Sequence, residues 1–290
     1  GIKALADYVH SKGLQFGIYT DAGTKTCQGR PGTYGYEEQD ARTYAEWGVD
    51  YVKEDWCNAK GLNAPKRYAI FRKALDKTGR PIVLSICEWG SNQPWEWAPA
   101  VGNLWRTTDD IEDRWASMLS NLDQSSQHSS VARPGAWNDP DMLEVGNGGM
   151  TDDEYRAHMS LWAMQAAPLI AGNDLRTMSE ATRIILTNPE VIGVDQDSLG
   201  AQGILVQEPA PELQVWAKPL RNGSHAVVLL NRSEKADTIS AELPRLGVHA
   251  DSASVRDLWA HAELGRVGGR FSSVVPPHAA VMVRVTALGR

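Results

Sequence analysis

Gly48-Val-Asp-Tyr-Val-Lys-Glu-Asp-Trp-Cys-Asn-Ala-Lys60 is the stretch of sequence that decides the fold. The β-branched and aromatic residues around Tyr51 are typical of a strand. Lys53, Glu54 and Asp55 then place one ammonium and two carboxylates where that strand ends. Because a buried charge is tolerated only when it is paired or used in chemistry, the stretch fits a strand that opens into a site. A surface junction with solvated charges is the alternative.

Helices and strands alternate on both sides of this stretch, and the strands end in polar residues. The helical patterns cover 2–11, 37–47, 64–78, 112–121, 152–165 and 179–186. The strand patterns cover 15–19, 49–55, 81–87, 103–108, 134–138 and 168–171. This alternation predicts βαβ units and a parallel sheet. Polar residues at the carboxyl ends of strands are typical of the active-site face of a (β/α)8 barrel.

The number of strands refines this prediction. Six strands are predicted, whereas a (β/α)8 barrel has eight. The pattern also begins on a helix that no strand precedes. We therefore expect an α/β fold, a (β/α)8 TIM barrel that lacks about its first two strands. An open doubly wound sheet is the alternative, but the chain has no glycine-rich phosphate loop to support it.

The pattern changes near residue 204. Short runs of alternating apolar and polar residues follow, and turn residues such as Arg221-Asn-Gly-Ser224 separate them. Short alternating strands with turns between them predict an antiparallel β-sandwich, here of roughly 80 residues. We therefore divide the chain into a barrel domain, residues 1–203, and a C-terminal sandwich domain, residues 204–290.

Composition excludes several classes of partner. The net charge of −7 over 290 residues, with no basic cluster, argues against a nucleic-acid partner. No apolar run approaches the roughly 20 residues of a membrane span. The three cysteines, Cys27, Cys57 and Cys87, allow at most one internal disulfide.

The polar residues at the strand ends favour one type of chemistry. They combine several carboxylates with lysine, arginine, tyrosine and tryptophan, and they include no histidine cluster for zinc. They contain no evident Ser-His-Asp triad and no calcium-loop spacing. We therefore predict no metal and no cofactor. A pair of carboxylates acting on a glycosidic bond fits best, with one as nucleophile or stabiliser and the other as proton donor.

Five motifs carry a family resemblance. They are Gly17-Ile-Tyr-Thr-Asp-Ala-Gly23, Tyr51-Val-Lys-Glu-Asp-Trp-Cys-Asn58, Cys87-Glu-Trp-Gly90, Trp105-Arg-Thr-Thr-Asp-Asp-Ile111 and Trp137-Asn-Asp-Pro-Asp-Met142. In this order and spacing the chain resembles the α-galactosidases of glycoside hydrolase family 27, over nearly its whole length. The segments 167–174 and 195–200 are also similar to that family.

The resemblance implies a barrel with a C-terminal sandwich, a retaining mechanism and an α-galactoside substrate. Asp55 matches the nucleophile and Asp110 the general acid/base. Further matched or neighbouring positions are expected to bind substrate: Tyr19, Lys53, Glu88, Trp89, Arg106, Asp141 and Met142. Because side chains alternate along a strand, Lys53 and Asp55 point to the same side.

The resemblance also implies a disulfide between Cys27 and Cys57, with Cys87 left as a buried thiol. A bridge of this kind indicates an extracellular or periplasmic setting. A homo-oligomer is compatible with this interpretation.

Other polar residues at the strand ends are predicted to have structural roles. Asp21 and Asn138 are expected to tie down loops, and Asp113 is expected on a helix surface. Glu54 and Asp109 are expected to be solvated or to neighbour the site without touching substrate.

The chain departs from the family in two places. Lys53-Glu-Asp-Trp56 replaces the commoner Lys-Tyr-Asp-Asn, and the N-terminal strands that recognise part of the sugar are not in the sequence. A β-L-arabinopyranosidase, which differs in the substituent at C5 of the sugar, is therefore an alternative. An α-N-acetylgalactosaminidase is less favoured, because the acidic Glu88 suits a free 2-hydroxyl. An inactive sugar-binding fragment is the alternative from another functional class.

Overall fold

The structure is a computed structural model that describes residues 1–289. These residues form two compact units. The first contains Gly1–Asp109 and Gly135–Asp139, and the second contains Asp110–Pro134 and the remainder of the described chain from Pro140 onward.

The first unit alternates helices with the strands of one parallel sheet. Its helices are α1 (Ile2–Ser11), α2 (Glu37–Trp47), α3 (Ala64–Lys77) and the short α4 (Pro94–Trp97), which a 3-10 turn follows at Ala98–Ala100. Its strands are β1 (Gly17–Asp21), β2 (Tyr51–Asp55), β3 (Val83–Cys87), β4 (Leu104–Arg106) and β5 (Trp137–Asp139). The strand order in the sheet is β1-β2-β3-β4-β5. A doubly wound sheet would reverse its strand order at a switch point, so the consecutive order confirms the predicted barrel class.

Local sequence signals explain why helix and strand alternate cleanly here. Gly48 adopts φ 81° and ends α2 in the left-handed conformation, which glycine reaches without steric cost. Asn63 caps α3 by accepting the N–H of Lys66, and Pro65 lies in its first turn. The predicted bounds of α2 agree with the structure, and those of α3 agree to within one residue.

The register of the sheet brings functional side chains to one face. Tyr19 lies opposite Lys53 on the neighbouring strand, Asp21 lies opposite Asp55, and Asp55 lies opposite Cys87. In a parallel sheet paired residues share a face, and every second residue along a strand returns to it. These five side chains therefore point to the same side of the sheet.

The second unit joins a helical layer to an antiparallel sandwich. Its helices are α5 (Trp115–Ser126), α6 (Asp152–Gln165), α7 (Glu180–Leu186) and α8 (Pro189–Asp195). Its strands are β6 (Ile204–Ala210), β7 (Leu213–Pro219), β8 (His225–Asn231), β9 (Asp237–Glu242), β10 (Ser252–Asp257), β11 (Ala262–Gly268), β12 (Arg270–Val275) and β13 (Ala279–Ala287). One sheet has the order β11-β10-β13-β8-β7-β6, and β12 pairs with β9 in the other.

Helix α6 is the centre of this unit. Thr151 and Glu154 form a capping box at its start, as the sequence predicts for Thr151. Trp162 packs in one apolar core with Leu230 of β8 and Met282 of β13. The sandwich and this helix therefore share a core.

Several predicted elements differ from the structure. The strand expected at 168–171 is reduced to one parallel bridge, Leu143 with Ala171, in an exposed segment where Pro168 has no N–H to donate. Strands β11 and β12 were not predicted. Strand β11 is exposed along nearly all its length, so it carries no alternating apolar pattern.

Candidate active site

Asp55 is held at the carboxyl end of β2 by two donors. Tyr19 donates its hydroxyl to Oδ2 at 2.8 Å, and the N–H of Trp56 is donated to Oδ1 at 2.9 Å. Burial, and then the hydrogen bond to Asp55, raise the pKa of Tyr19, so its hydroxyl remains a donor. Tyr68 of α3 donates to the Asp55 carbonyl at 3.3 Å, which fixes the backbone as well. Asp55 is only 6% exposed.

The loops after β1 and β2 are covalently joined beside this carboxylate. Cys27 and Cys57 form a disulfide with a Cα–Cα distance of 5.1 Å, which confirms the predicted pairing. The Sγ atom of Cys27 lies 3.3 Å from Oδ2 of Asp55. Asp21 accepts the N–H groups of Gly23 at 2.7 Å and Cys57 at 2.9 Å, so it ties both loops together, as the sequence predicts.

Two cations lie on the same side of the sheet as Asp55. Lys53 shares its face by the alternation of β2. Arg106 of β4 is 1% exposed and donates to the Thr108 carbonyl at 3.1 Å. Its Nη1 atom lies 3.8 Å from the Sγ atom of Cys87. The cations thus face the region around Asp55, where they can donate hydrogen bonds to sugar oxygens.

Cys87 is a buried free thiol, as predicted, but its place within this group of residues was not foreseen. Burial raises its pKa, although Lys53 and Arg106 oppose the rise. The signal available in the sequence was strand alternation, because Cys87 is the register partner of Asp55. A neutral thiol therefore forms part of the wall beside the candidate nucleophile.

Glu88 turns into its own loop. It has no exposed surface, and its Oε2 atom accepts both the backbone and the side-chain N–H of Asn92, each at 2.6 Å. Its Oε1 atom has no hydrogen-bond partner among residues 1–289. Burial raises the pKa of Glu88 to about 7. Trp89, the next residue, has a φ of 58°, in the left-handed region.

The other three predicted site residues belong to the second unit. Asp110 is exposed. Asp141 is 6% exposed and accepts the N–H of Ile111 and of Met142, each at 2.8 Å. Trp162 of α6 donates its indole N–H to the Asp141 carbonyl at 2.7 Å. Asp141 therefore organises the backbone next to Asp110. The structure thus groups Tyr19, Lys53, Asp55, Glu88, Trp89 and Arg106 in one unit and Asp110, Asp141 and Met142 in the other.

Two family models match this chain. The model described as "Alpha galactosidase A" matches residues 1–197, and the "Alpha galactosidase C-terminal beta sandwich domain" matches residues 210–285. The chain belongs to the α-galactosidase family. This confirms the resemblance found in the sequence.

Named relatives agree with this membership. "Alpha-galactosidase 2" of Arabidopsis thaliana is 51% identical over 288 residues, which are 99% of this chain and 72% of that protein. The crystal structure of α-galactosidase I from Mortierella vinacea is 36% identical with a TM-score of 0.95, covering 99% of this chain and 81% of that one. A family 27 β-L-arabinopyranosidase from Geobacillus stearothermophilus is 30% identical with a TM-score of 0.90, covering 100% of this chain and 78% of that one.

Glu54 and Trp56, the two residues that depart from the family motif around the nucleophile, have different surroundings. Glu54 is 1% exposed and accepts the Thr33 hydroxyl at 3.0 Å, so of the two alternatives expected for it the structure excludes solvation and leaves a position beside the site. It alternates with Asp55 along β2 and points to the other face, where burial raises its pKa well above the usual range. Trp56 stacks on Tyr68 at 5.5 Å, and Tyr68 stacks on Trp97 at 5.6 Å.

One group of potential metal ligands lies in the first unit of this α-galactosidase family member. Asp21, Cys27, Asp55 and Cys57 bring their ligating atoms within 4.8 Å of one another. The two sulfurs are bonded to each other, so neither is a thiolate, and both carboxylates already accept hydrogen bonds. This donor set is therefore occupied by internal contacts.

Within residues 1–289, no helix is both long and apolar enough to cross a membrane.

Proposed function

We propose that this chain is the catalytic part of a retaining α-galactosidase, which releases terminal α-linked galactose through a covalent glycosyl-enzyme intermediate. The observation that carries the proposal is the arrangement around Asp55. Its carboxylate lies at the end of a parallel strand, is oriented by Tyr19 and the Trp56 N–H, and shares its sheet face with Lys53. Membership of the α-galactosidase family supplies the reaction class.

In the first step Asp55 attacks the anomeric carbon of the galactosyl group. Asp110, protonated at this stage, donates its proton to the glycosidic oxygen as the bond to the leaving group breaks. A retaining mechanism requires the two carboxyl groups to lie about 5–5.5 Å apart.

In the second step the same residues act in reverse. Asp110, now a carboxylate, takes a proton from water, and the water oxygen attacks the anomeric carbon. The bond to Asp55 breaks, and galactose leaves with its original configuration. The Tyr19 hydroxyl stabilises the Asp55 carboxylate that this step regenerates.

The sugar-binding residues are part of the same proposal. We assign galactose hydroxyls to Tyr19, Lys53, Arg106 and the Oε1 atom of Glu88, which has no hydrogen-bond partner among residues 1–289. Further substrate contacts are assigned to Trp89, Asp141 and Met142. The cationic side chains can donate to hydroxyl oxygens, and Trp89 offers an aromatic face to the C–H groups of a sugar. The disulfide at Cys27 supports an extracytoplasmic location.

The test is hydrolysis of p-nitrophenyl α-galactoside by the full-length gene product, with Asp55→Asn as the matched variant. Asparagine keeps the shape of the side chain and removes its nucleophilic charge, so we expect a loss of at least roughly a thousandfold in kcat. A fluorinated galactosyl inhibitor should label the wild type on the peptide that contains Asp55. Undiminished turnover by Asp55→Asn would sink the assignment.

A β-L-arabinopyranosidase is the second candidate, because the solved enzyme with that activity has the same fold over the whole chain. Galactose and arabinopyranose differ only at C5. The ratio of kcat/KM for the two p-nitrophenyl glycosides distinguishes the activities, and a ratio above one for the galactoside supports the first proposal. Sugar binding without any turnover by the full-length protein would favour a non-catalytic role.

A further inference from the structure

A network of hydrogen bonds in the second unit joins the segment after Asp110 to residues 148–150. Tyr155 of α6 donates its hydroxyl to the Asp113 carboxylate, and its Oη atom lies 2.9 and 3.0 Å from the two carboxylate oxygens. The same hydroxyl accepts the N–H of Gly148 at 2.6 Å and of Met150 at 3.3 Å. We call Asp113, Tyr155 and the segment 148–150 the Tyr155 network. Asp113 was predicted to lie on a helix surface, and instead it precedes α5 and anchors a loop.

The glycines of the Tyr155 network allow residues 148–150 to lie close to Asp113. A Cβ atom on Gly149 would lie 2.1 Å from the Asp113 carbonyl oxygen, so a larger residue would displace the loop. Gly149 also donates its N–H to the Asp113 carboxylate. Gly148 has a φ of 98°, which other residues rarely adopt. Tyr155 is only 3% exposed, so water cannot fully replace the hydrogen bonds that its hydroxyl makes.

The Tyr155 network restrains the segment that carries Asp110. Residue 111, directly after Asp110, is held through its N–H by Asp141 at 2.8 Å. Asp113, three positions after Asp110, is held by Tyr155. The segment that follows Asp110 is therefore held at Ile111 through its backbone N–H and at Asp113 through its side chain, although Asp110 itself is exposed.

We infer that Tyr155 and Asp113 are positioning residues that hold Asp110 in place for proton transfer to the leaving group. The inference rests on the proposed function, because it takes Asp110 as the acid/base. A general acid must lie within hydrogen-bond reach of the atom that it protonates. A displacement of about 1 Å can reduce the rate by roughly a hundredfold. Tyr155 and Asp113 act through Asp110 and are not assigned any contact with substrate.

The test is the dependence of Tyr155→Phe on the leaving group. Phenolate is a poor leaving group that needs a proton, whereas 2,4-dinitrophenolate leaves without one. We therefore expect kcat/KM of the full-length variant to fall roughly tenfold or more for phenyl α-galactoside and much less for the dinitrophenyl substrate. A substitution that only loosens the fold would reduce both values by the same factor.

Two variants complete the experiment. Asp110→Ala should show the same leaving-group pattern in stronger form. Ser160→Ala is the matched structural control, because Ser160 is buried on the same helix and loses a hydrogen bond from Trp259 at 2.9 Å. It should lower kcat/KM equally, if at all, for both substrates.

The outcomes separate this inference from the proposed function. Equal losses in Tyr155→Phe, with leaving-group dependence intact in Asp110→Ala, overturn the inference alone. No leaving-group dependence in Asp110→Ala overturns the inference together with the acid/base assignment, and a wild type inactive on every α-galactoside overturns the proposed function. If Tyr155→Phe does not fold, Asp113→Asn is judged by the same comparison, since it keeps the side-chain shape and removes its charge.

Discussion

Tyr19 differs from a phenylalanine by one hydroxyl, and that hydroxyl orients the proposed nucleophile. Its hydrogen bond to Asp55 joins a neutral donor to a carboxylate, a type worth about 1.5–3 kcal/mol. We expect Tyr19→Phe to lower kcat/KM for p-nitrophenyl α-galactoside by roughly 10- to 100-fold. Steady-state kinetics measure this effect.

The matched control for that variant is Tyr44→Phe. Tyr44 is a partly buried tyrosine of α2 in the same unit, and its hydroxyl forms a hydrogen bond with Thr20. Its kcat/KM should stay close to that of the wild type. Similar losses in both variants would show that the Tyr19 hydroxyl has no specific role.

Individual residues also show what the sequence could and could not predict. The motif around Asp55 predicted the strand end and its carboxylate, and the family resemblance implied the disulfide partner Cys57. The inward position of Cys87 follows from strand alternation, but only once its register with Asp55 is known. The direction in which Glu88 turns depends on a hydrogen bond to Asn92 within an irregular loop, and no periodic pattern encodes that contact.

The loops after β1 and β2 are joined by the disulfide, and this link should dominate their stability. Cys27 and Cys57 are 30 positions apart, and closing a loop of that length stabilises a fold by roughly 3–4 kcal/mol in the chain-entropy model. We expect Cys27→Ser/Cys57→Ser to lower the free energy of unfolding by about this amount. Urea unfolding of the isolated protein measures it.

Reduction of the wild type provides an internal control. Dithiothreitol should lower the unfolding free energy of the wild type towards that of the double variant and leave the double variant unchanged. A double variant as stable as the oxidised wild type would contradict the prediction. Loss of activity in the double variant is also expected, because Cys27 packs against the Asp55 carboxylate.

Helices with clear end signals were predictable, and weakly patterned strands were not. Thr151 begins α6 and Gly48 ends α2, and both helices have the predicted bounds. Strand β11 is exposed and contains Glu263, Arg266 and glycines, so its sequence has no alternating hydrophobic pattern from which a strand could be predicted. Its position is set by antiparallel pairing with β10, the preceding strand, and the register of that pair shifts between Val255 and Arg256.

In the molecule as a whole, the packing of α6 crosses the position where the sequence pattern changes. Trp162 shares a core with Leu230 and Met282, so this helix and the sandwich strands belong to one compact unit. The change of pattern near residue 204 predicted the type of secondary structure on each side. It carried no information about which helix would bury its surface against the sandwich.

Buried acids make the stability of the whole protein depend on pH. Burial raises the pKa of Glu54 well above its usual range and raises the pKa of Asp21 to about 7. Where the folded-state pKa exceeds the unfolded value, the folded state binds more protons, so stability is lost as pH rises from the unfolded pKa to the folded one. Each of these acids therefore favours folding at acidic pH.

Glu54→Gln isolates one of these contributions. Glutamine has a similar shape and does not ionise, so the variant should gain stability relative to the wild type as pH rises from about 4.5 towards 7.5. Unfolding of both proteins in urea at the two pH values measures how the difference between their unfolding free energies changes with pH. A constant gap between the two proteins would show that Glu54 does not titrate in this range.

The rings of Trp56, Tyr68 and Trp97 are stacked in sequence, and their proximity has an optical consequence. Closely spaced indole and phenol chromophores in a fixed, chiral arrangement produce a strong signal in near-ultraviolet circular dichroism. Trp56 follows β2 and Trp97 belongs to the helix after β3, so this signal requires both loops to be assembled on α3. The protein thus contains a built-in spectroscopic probe, free of any label, for the moment at which the surroundings of its nucleophile become ordered.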